Sequence, residues 1–396
     1  MKGFLSQRSI QIFLAIVLYL GLSPILPQEA HQGLYAISLL MKDLLLWILP
    51  LSVGFFIAHA VFSFEKQAPL FILTLFIFEW LSNSLCVWYT FGCGHLAIHS
   101  LSTMSGGEIV DNFTPLWRFA FSKPAWWTAD KGSFVGLAVG LIAAFAFPKL
   151  RIFLTQGKMV AEKILTNFFS RLISLFILGF VAKMHQTDLL RQMSVQYADF
   201  ILWLVVFLIA YIALLFFLGS GFSKAVFFKS IKNLTPAAGI AFSSGCSLSS
   251  MPWTIEGASK NLQNPDLAKA VIPATTNIQQ VGDCIMQTFL CFLIYFHFYG
   301  HAPSLAVWIP FSLVFVLARF ATAAVLGGAI FLMLPIYESY LQFTPEMIAI
   351  ILAFNVILDP LVTCSNVIAN GALCRIFEKV WLVVKDPKQL RLRKNR

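Results

Sequence analysis

Long apolar segments, separated by short polar ones, follow one another along most of this chain. Apolar runs close to the roughly 20 residues that a helix needs to cross a bilayer recur as far as residue 377. We place the first six at residues 10–26, 44–62, 70–89, 134–147, 165–181 and 200–218. Repeated runs of this kind predict an all-α polytopic membrane protein.

Composition and charge agree with this interpretation. The 396 residues are 59% hydrophobic and only 12% charged, whereas soluble domains carry about 25% charged residues. The net charge is +10, but the basic residues lie between apolar runs and in the tail 385–396. This distribution follows the positive-inside rule and argues against a nucleic-acid partner. We therefore expect a multi-pass protein of a cell (inner) membrane, surrounded by lipid, with both termini cytoplasmic.

The sequence gives no indication of enzyme chemistry. Its seven cysteines form no Cys-x-x-Cys pair, and no Gly-x-Ser-x-Gly or His-Glu-x-x-His motif is present. We expect no enzymatic activity, no catalytic residue, no metal site and no organic cofactor.

The pattern changes after Lys232. Residues 233–259 are only moderately apolar, and a Ser/Gly-rich break at 243–252 divides them into two arms that are each too short to cross a bilayer. They are either a re-entrant helical hairpin or one kinked span. Lys232 and Lys260 favour the hairpin, because a single span would put these two basic groups on opposite sides. Residues 304–336 are a second candidate hairpin, with small residues at the tip 322–329 and Arg319 inside it.

Polar groups also interrupt the spans predicted around these hairpins. In helix seven, residues 267–299, the break runs from Asn277 to Asp283. Its oxygens suit a hard cation or a hydrogen-bonded solute, while the alternative is amide packing between helices. Glu79 in the third span is likewise either paired with a neighbouring helix or part of an ion path.

Helix eight, residues 347–377, carries one polar stripe. Spacings of 4, 3 and 4 place four side chains on one helical face: Asp359, Thr363, Asn366 and Asn370. An acid beside three hydrogen-bonding groups is a poor lipid contact and a good surface for an ammonium group or a cation. This stripe predicts a solute-binding face.

These same residues carry a family resemblance over about residues 155–378. The motif positions are Ala241-Phe242, Cys246-Ser247-Leu248, Met251-Pro252, Pro273, Gln279 to Asp283, Thr322-Ala323, Val325, Gly327, Leu358-Asp359, Thr363, Asn366-Val367 and Asn370. In these motifs the chain resembles the dicarboxylate/amino acid:cation symporter family of glutamate and aspartate transporters.

The resemblance implies a fold and a mechanism. It implies eight transmembrane helices plus two re-entrant helical hairpins, assembled as a homotrimer. Residues 1–232 would mainly form the scaffold, residues 233–378 a transport core, and residues 379–396 a basic cytoplasmic tail. The core would carry a small-molecule substrate across the membrane by elevator-type alternating access, coupled to sodium or protons.

The resemblance also implies roles for individual residues. The implied substrate-binding residues are Ser247, Asp283, Val325, Asp359, Val362, Thr363 and Asn366. The implied cation-binding residues are Asn277, Gln279, Thr322, Asn366 and Asn370. In this scheme Asp359 holds the substrate ammonium group, and Asn366 helps to hold its carboxylate.

Several positions depart from the family pattern. Val362 and Gly245 stand where acidic-substrate members carry an arginine, and Asp283 stands where they carry a threonine. We therefore expect a neutral or otherwise non-acidic amino acid. The alternatives are an acidic amino acid or C4-dicarboxylate bound with Arg319, an ion-uncoupled exchanger and, more remotely, a channel.

The departures extend to the implied cation sites. Two family carboxylates are replaced by Val281 and Asn370, which makes a proton the rival of sodium. Arg319 would replace either the missing arginine or the charge of a sodium ion.

Overall fold

The computed structural model describes residues 8–63, 69–101, 113–119, 124, 126–127, 129–164, 170–186, 198–322 and 329–385. Over this part of the chain the protein is helical and has no strand. The helices are α1 Arg8–Leu22, α2 Gln28–Ser63, α3 Pro69–Leu101, α4 Ala129–Phe145, α5 Leu150–Lys163, α6 Ser170–Gln186, α7 Ala198–Gly219, α8 Lys224–Ser244, α9 Ser247–Ser259, α10 Pro265–Thr275, α11 Val281–Tyr299, α12 Leu305–Thr322, α13 Ala329–Leu341 and α14 Pro345–Lys385. The all-α prediction is confirmed at this level.

The chain divides into two compact units. The first contains Met1–Phe64, Phe91–Leu202 and Gln287–Leu358. The second contains Glu65–Thr90, Trp203–Met286 and Asp359–Arg396. The predicted division into scaffold and transport core remains a prediction.

Small residues allow close helix contacts in the first unit. A Cβ atom at Gly136 of α4 would lie 2.4 Å from the carbonyl oxygen of Gly54 in α2. At Gly132, one turn earlier, it would lie 2.2 Å from the carbonyl oxygen of Pro50. Backbones approach this closely only where side chains are absent, as at many helix interfaces in membranes. Glycine therefore sets the packing of α4 on α2.

The first predicted hairpin is a helical hairpin in the second unit. Helix α8 ends at Gly245, which adopts a left-handed conformation (φ 58°) and donates its N–H to the Ala241 carbonyl at 2.9 Å. At the opposite end of the arms, Asn233 Nδ2 donates to Asn261 Oδ1 at 2.8 Å. A single kinked span would separate these ends, so the contact between them excludes that alternative.

The second predicted hairpin has two packed arms in the first unit. The ring of Tyr337 in α13 lies 6.4 Å, centroid to centroid, from the rings of both Phe311 and Phe315 in α12. Residues 323–328 of the predicted tip, including Val325, lie outside the described residues, and so does the side chain of Thr322.

Two described helices are long and apolar enough to cross a membrane, judged by length and composition. They cover Asp199–Gly219 and Val281–Tyr299, with hydropathies of 3.0 and 1.5. Pro345–Asn355 and Ile357–Lys385 make a third when taken as one broken span. Pro360 explains that break, because proline offers no N–H to the carbonyl four residues earlier, at residue 356. The predicted total of eight spans remains a prediction.

The helix bounds differ from the predicted ones in several places, and α2 already begins at Gln28 rather than at residue 44. Helix α3 continues to Leu101, twelve residues beyond the end predicted for the third span at residue 89, and residues 102–112 lie outside the described residues. Helix α5 lies between the fourth and fifth predicted spans, where no helix was predicted. It is amphipathic, so its mean apolarity is too low to give a hydropathy signal. Helix α14 extends through Lys385, into the predicted tail.

Candidate functional site

The predicted interruption of helix seven is a break between two helices of the second unit. Helix α10 ends at Thr275 and helix α11 begins at Val281. A side chain of α3 binds the non-helical backbone of the break: Asn83 Nδ2 donates to the Ile278 carbonyl at 3.0 Å. Asn83 Oδ1 accepts from the Gln280 N–H at 3.4 Å. The amide packing considered as an alternative is therefore present, and it holds an unwound segment in place.

Asn366 of α14 binds the start of α11. Its Oδ1 accepts from the backbone N–H groups of Gly282 at 2.8 Å and Asp283 at 3.3 Å. Its Nδ2 donates to Asp283 Oδ2 at 2.7 Å. The first N–H groups of a helix have no intrahelical acceptor, and Asn366 supplies one. Two residues predicted to bind substrate are thus bonded directly to each other.

Gly282 makes this contact between α11 and α14 possible. A Cβ atom there would lie 2.5 Å from the Val362 carbonyl oxygen and 3.1 Å from Asn366 Oδ1. The two backbones therefore meet beside the predicted polar stripe. Val362 and Thr363, both buried, belong to the same turn of α14.

The tip of the first hairpin lies against a carboxylate. A Cβ atom at Gly245 would be 3.2 Å from Asp359 Oδ2. A larger residue would need to adopt an unfavourable positive φ and displace the carboxylate. Helix α9 begins two residues later at the half-buried Ser247, and its first N–H groups have no acceptor within the helix. The structure thus places a carboxylate beside the break between α8 and α9.

Asn370 is occupied by a contact that the sequence did not predict. Thr275 Oγ1, at the end of α10, donates to Asn370 Oδ1 at 2.8 Å, and both side chains are buried. Thr275 was missed because threonine in an apolar helix is common and its spacing gives no signal. Of the four stripe residues, Asn366 and Asn370 therefore bind the two sides of the helix-seven break. The backbone carbonyl of Asn277, inside the break, accepts from Gln280 Nε2 at 2.8 Å.

A second polar cluster joins α3 to the same break. Gln279 Nε2 donates to Ser82 Oγ at 3.0 Å. Glu79 lies on the same face of α3, one turn before Ser82 and Asn83. Glu79 Oε2 and Gln279 Oε1 are both buried, and neither has a hydrogen-bond partner among the residues that the structure describes. Unsatisfied buried acceptors are costly, so this cluster suits a proton or a cation.

Arg319 belongs to a polar cluster in the first unit. Its Nη2 donates to Gln287 Oε1, which also accepts from the Tyr337 hydroxyl at 2.6 Å. Gln287 Nε2 donates to Asn355 Oδ1 at 2.9 Å. The residue pattern did not predict the contacts of Gln287 with Arg319, Tyr337 and Asn355. The available signal was Gln287 itself, a polar residue one turn after Asp283 in an apolar span.

The comparison with known protein families agrees with the resemblance. The profile described as the sodium:dicarboxylate symporter family matches residues 132–380. This range is more than half of the chain and includes both hairpins, the helix-seven break and the polar stripe of α14. A comparison with curated proteins gave no match. The chain therefore belongs to the sodium:dicarboxylate symporter family, whose members are membrane transporters.

Proposed function

We propose that this protein is a secondary active transporter that takes up an amino acid, coupled to sodium or protons. The observation that carries the proposal is the Asp359 carboxylate beside the left-handed Gly245 at the tip of the first hairpin. A carboxylate at a helix break offers an ionic partner to an ammonium group, and the start of α9 offers N–H groups to a carboxylate. Together they match the two ends of an amino acid.

The charges of this site favour a neutral amino acid. Asp283 adds a second carboxyl group. Val362 is apolar, and the space beside Gly245 is too small for a basic side chain. A second carboxylate on the substrate would thus meet negative rather than positive charge. Ser247 of α9 and Thr363 of α14 each supply a hydroxyl group to the proposed substrate site.

Arg319 supports the acidic-substrate alternative less well. That alternative, an acidic amino acid or C4-dicarboxylate, needs the guanidinium group to face the substrate. The guanidinium is fully buried and already donates to Gln287. Ion-uncoupled exchange is a further alternative, and a channel a remote one.

Coupling to a cation is supported by the acceptor oxygens around the helix-seven break. Glu79 Oε2 and Gln279 Oε1 lack donors within the described structure, and each is an acceptor that a proton or a cation would satisfy. Asn277 adds a backbone carbonyl oxygen inside the break, and Asn370 adds an amide oxygen at its α10 end. The backbone at Thr322 and Val325 remains part of the proposed binding set through the resemblance.

We further propose the family architecture for this chain. It comprises eight spans and two re-entrant hairpins, with a scaffold in residues 1–232, a transport core in 233–378 and elevator-type movement of the core in a homotrimer. The basic tail and both termini would face the cytoplasm across a cell inner membrane. Family membership, the two long apolar helices and the distribution of basic residues support this arrangement.

Uptake into proteoliposomes tests the function. We expect saturable uptake of one or more neutral amino acids from a substrate panel, dependent on a sodium or a pH gradient. Uptake that needs neither gradient but requires internal substrate would identify an exchanger. Ohmic flux that does not saturate would identify a channel and refute the proposal.

Asp359→Asn tests the assigned ammonium partner. We expect uptake to fall by about 100-fold, because a buried charge-assisted hydrogen bond contributes roughly 1.5–3 kcal/mol and each 1.4 kcal/mol changes a rate tenfold. Asp266→Asn is the matched control, since its side chain is 80% exposed and bonded to Lys269 at a helix start. Equal uptake by Asp359→Asn and wild type would show that the substrate binds without an amine at this position.

A further inference from the structure

We propose that Arg319 is a tethered cation: its guanidinium group permanently fills a cation site in the second hairpin, so that this site takes no cation from solution. The contacts of Arg319 carry the inference by themselves. Its consequence, that fewer solute cations accompany each substrate, rests on the proposed transport function.

The position of Arg319 on its helix suits a cation. Arg319 lies in the last turn of α12, which ends at Thr322. The final carbonyl groups of a helix have no intrahelical donor, and the helix end carries a partial negative charge of about half an electron. In secondary transporters, such ends of half-helices coordinate the coupling cation. The backbone of Arg319 belongs to this last turn, and its guanidinium group lies beside the Phe315 ring, one turn earlier in the same helix.

The groups around the guanidinium resemble the ligands of a bound cation. Gln287 Oε1 accepts from Arg319 Nη2 and from the Tyr337 hydroxyl. Asn355 accepts from Gln287 Nε2 at 2.9 Å, which turns the amide oxygen toward the arginine. The Phe315 ring lies 5.0 Å from the guanidinium carbon. An amide oxygen and an aromatic face stabilise a positive charge without neutralising it.

Complete burial places the guanidinium group of Arg319 within the protein. Arg319 is 0% exposed and is one of the largest fully buried side chains described in the protein. Removing a charge from water is costly unless dipoles replace its hydration, which explains the ordered amide pair of Gln287 and Asn355. Arginine stays protonated in proteins, so this charge, unlike a sodium ion or a proton, is never released.

Rescue by added guanidinium tests the inference. Arg319→Ala empties the space of the side chain, and millimolar guanidinium chloride, far below denaturing concentrations, is the probe. We expect guanidinium to raise the unfolding temperature of detergent-purified Arg319→Ala by several degrees, because a ligand of the folded state stabilises it. The same additive should restore its uptake in proteoliposomes, which we expect to be about tenfold below wild type without it.

Four controls make the result specific. Choline chloride matches the ionic strength with a cation too large for the vacated space, and we expect no rise with it. Lys269→Ala removes an exposed cation, and wild type keeps its own arginine, so guanidinium should stabilise neither. Arg319→Lys keeps the charge and should need no additive. An equal response to choline, or a rise as large in Lys269→Ala, would overturn the proposal.

The remaining outcomes also decide the question. If Arg319→Ala is recovered folded from membranes only when guanidinium is present, the proposal is supported. If it is never recovered with guanidinium, or if it is as stable and active as wild type without it, the proposal is wrong. The unfolding measurement needs no substrate. A wild type without saturable uptake would therefore refute the transport function and leave the test of the tethered cation intact.

Discussion

The helix pairs of the two predicted hairpins, α8–α9 and α12–α13, handle polar groups differently. The first has a glycine break at its tip, beside a carboxylate, and an amide pair between Asn233 and Asn261 at its base. The second encloses a full positive charge, Arg319, between aromatic rings and the amide of Gln287. In the first hairpin the polar groups belong mostly to backbone and short side chains, while in the second they belong to one long side chain.

The difference indicates that the two hairpins have different tasks. A break at a helix start beside an acid can bind a solute reversibly, because the helix start attracts an anion and the acid attracts an ammonium group. A buried arginine fills its own site and cannot leave. We therefore assign reversible binding to the first hairpin and a fixed charge to the second.

The largest effect is expected in the second hairpin, from Gln287→Leu. This change removes the acceptor shared by Arg319 and Tyr337 and leaves a buried charge without its amide. Removing one partner of a buried charge typically costs about 3–5 kcal/mol. Thermal unfolding in detergent measures the loss.

Gln287→Glu is the control, because it keeps the acceptor oxygen and its added countercharge offsets the lost donation to Asn355, so it should unfold much closer to wild type than Gln287→Leu does. If Gln287→Leu were as stable as wild type, other groups would be holding the guanidinium, and the contrast between the hairpins would be weaker.

An intermediate effect is expected at the base of the first hairpin. A Cβ atom at Gly257 would lie 2.4 Å from the Asn233 carbonyl oxygen, whereas one at Gly239 of the same hairpin would meet nothing within 4 Å. Gly257→Ala should therefore destabilise the protein by about 1–3 kcal/mol through overpacking. Gly239→Ala should stabilise it by roughly 0.5–1 kcal/mol, since alanine favours helix.

Chemical or thermal unfolding of the two variants gives the sign directly. Destabilisation by both changes would show that helical propensity does not determine the effect of alanine at Gly239. Stabilisation by both would show that the arms separate easily at their base.

The smallest effect on stability is expected at the tip, from Gly245→Ala. Gly245 and Gly300 both have positive φ, 58° and 72°, so alanine should cost about 1–2 kcal/mol at each. Only the methyl group at Gly245 would meet Asp359, whereas Gly300 has open space around it. Gly245→Ala should therefore raise the KM for uptake, and Gly300→Ala should leave the KM unchanged. Equal KM values in both variants would remove Gly245 from the substrate site.

Much of the helical organisation could be predicted from residue patterns. The Ser/Gly-rich break, the interruption from Asn277 to Asp283 and the polar stripe of α14 all correspond to features of the structure, because glycine, amides and periodic polarity act locally. Helix α5 was not predicted, because its apolar residues occupy only one face and the hydropathy averaged over the segment stays low. The span count and the assembly depend on the bilayer and on other copies of the chain, and they remain predictions.

The partners of the site residues could not be predicted in the same way. Asn366 was expected to hold substrate, yet its amide binds Gly282 and Asp283. Asn370 was expected to bind a cation, yet it accepts from Thr275. Amides form similar hydrogen bonds with solutes and with backbone, so the residue type alone cannot distinguish these uses.

By itself the sequence determined the helical class, the two hairpins and the face of α14 that carries Asp359, since periodicity and helix breakers act over a few residues. The tertiary structure alone decided that Asn83 binds the helix-seven break from 195 residues away and that Gln287 holds Arg319. The physical reason is that a spacing of three or four residues fixes which side chains share a face. Which distant group that face meets depends on how the helices pack.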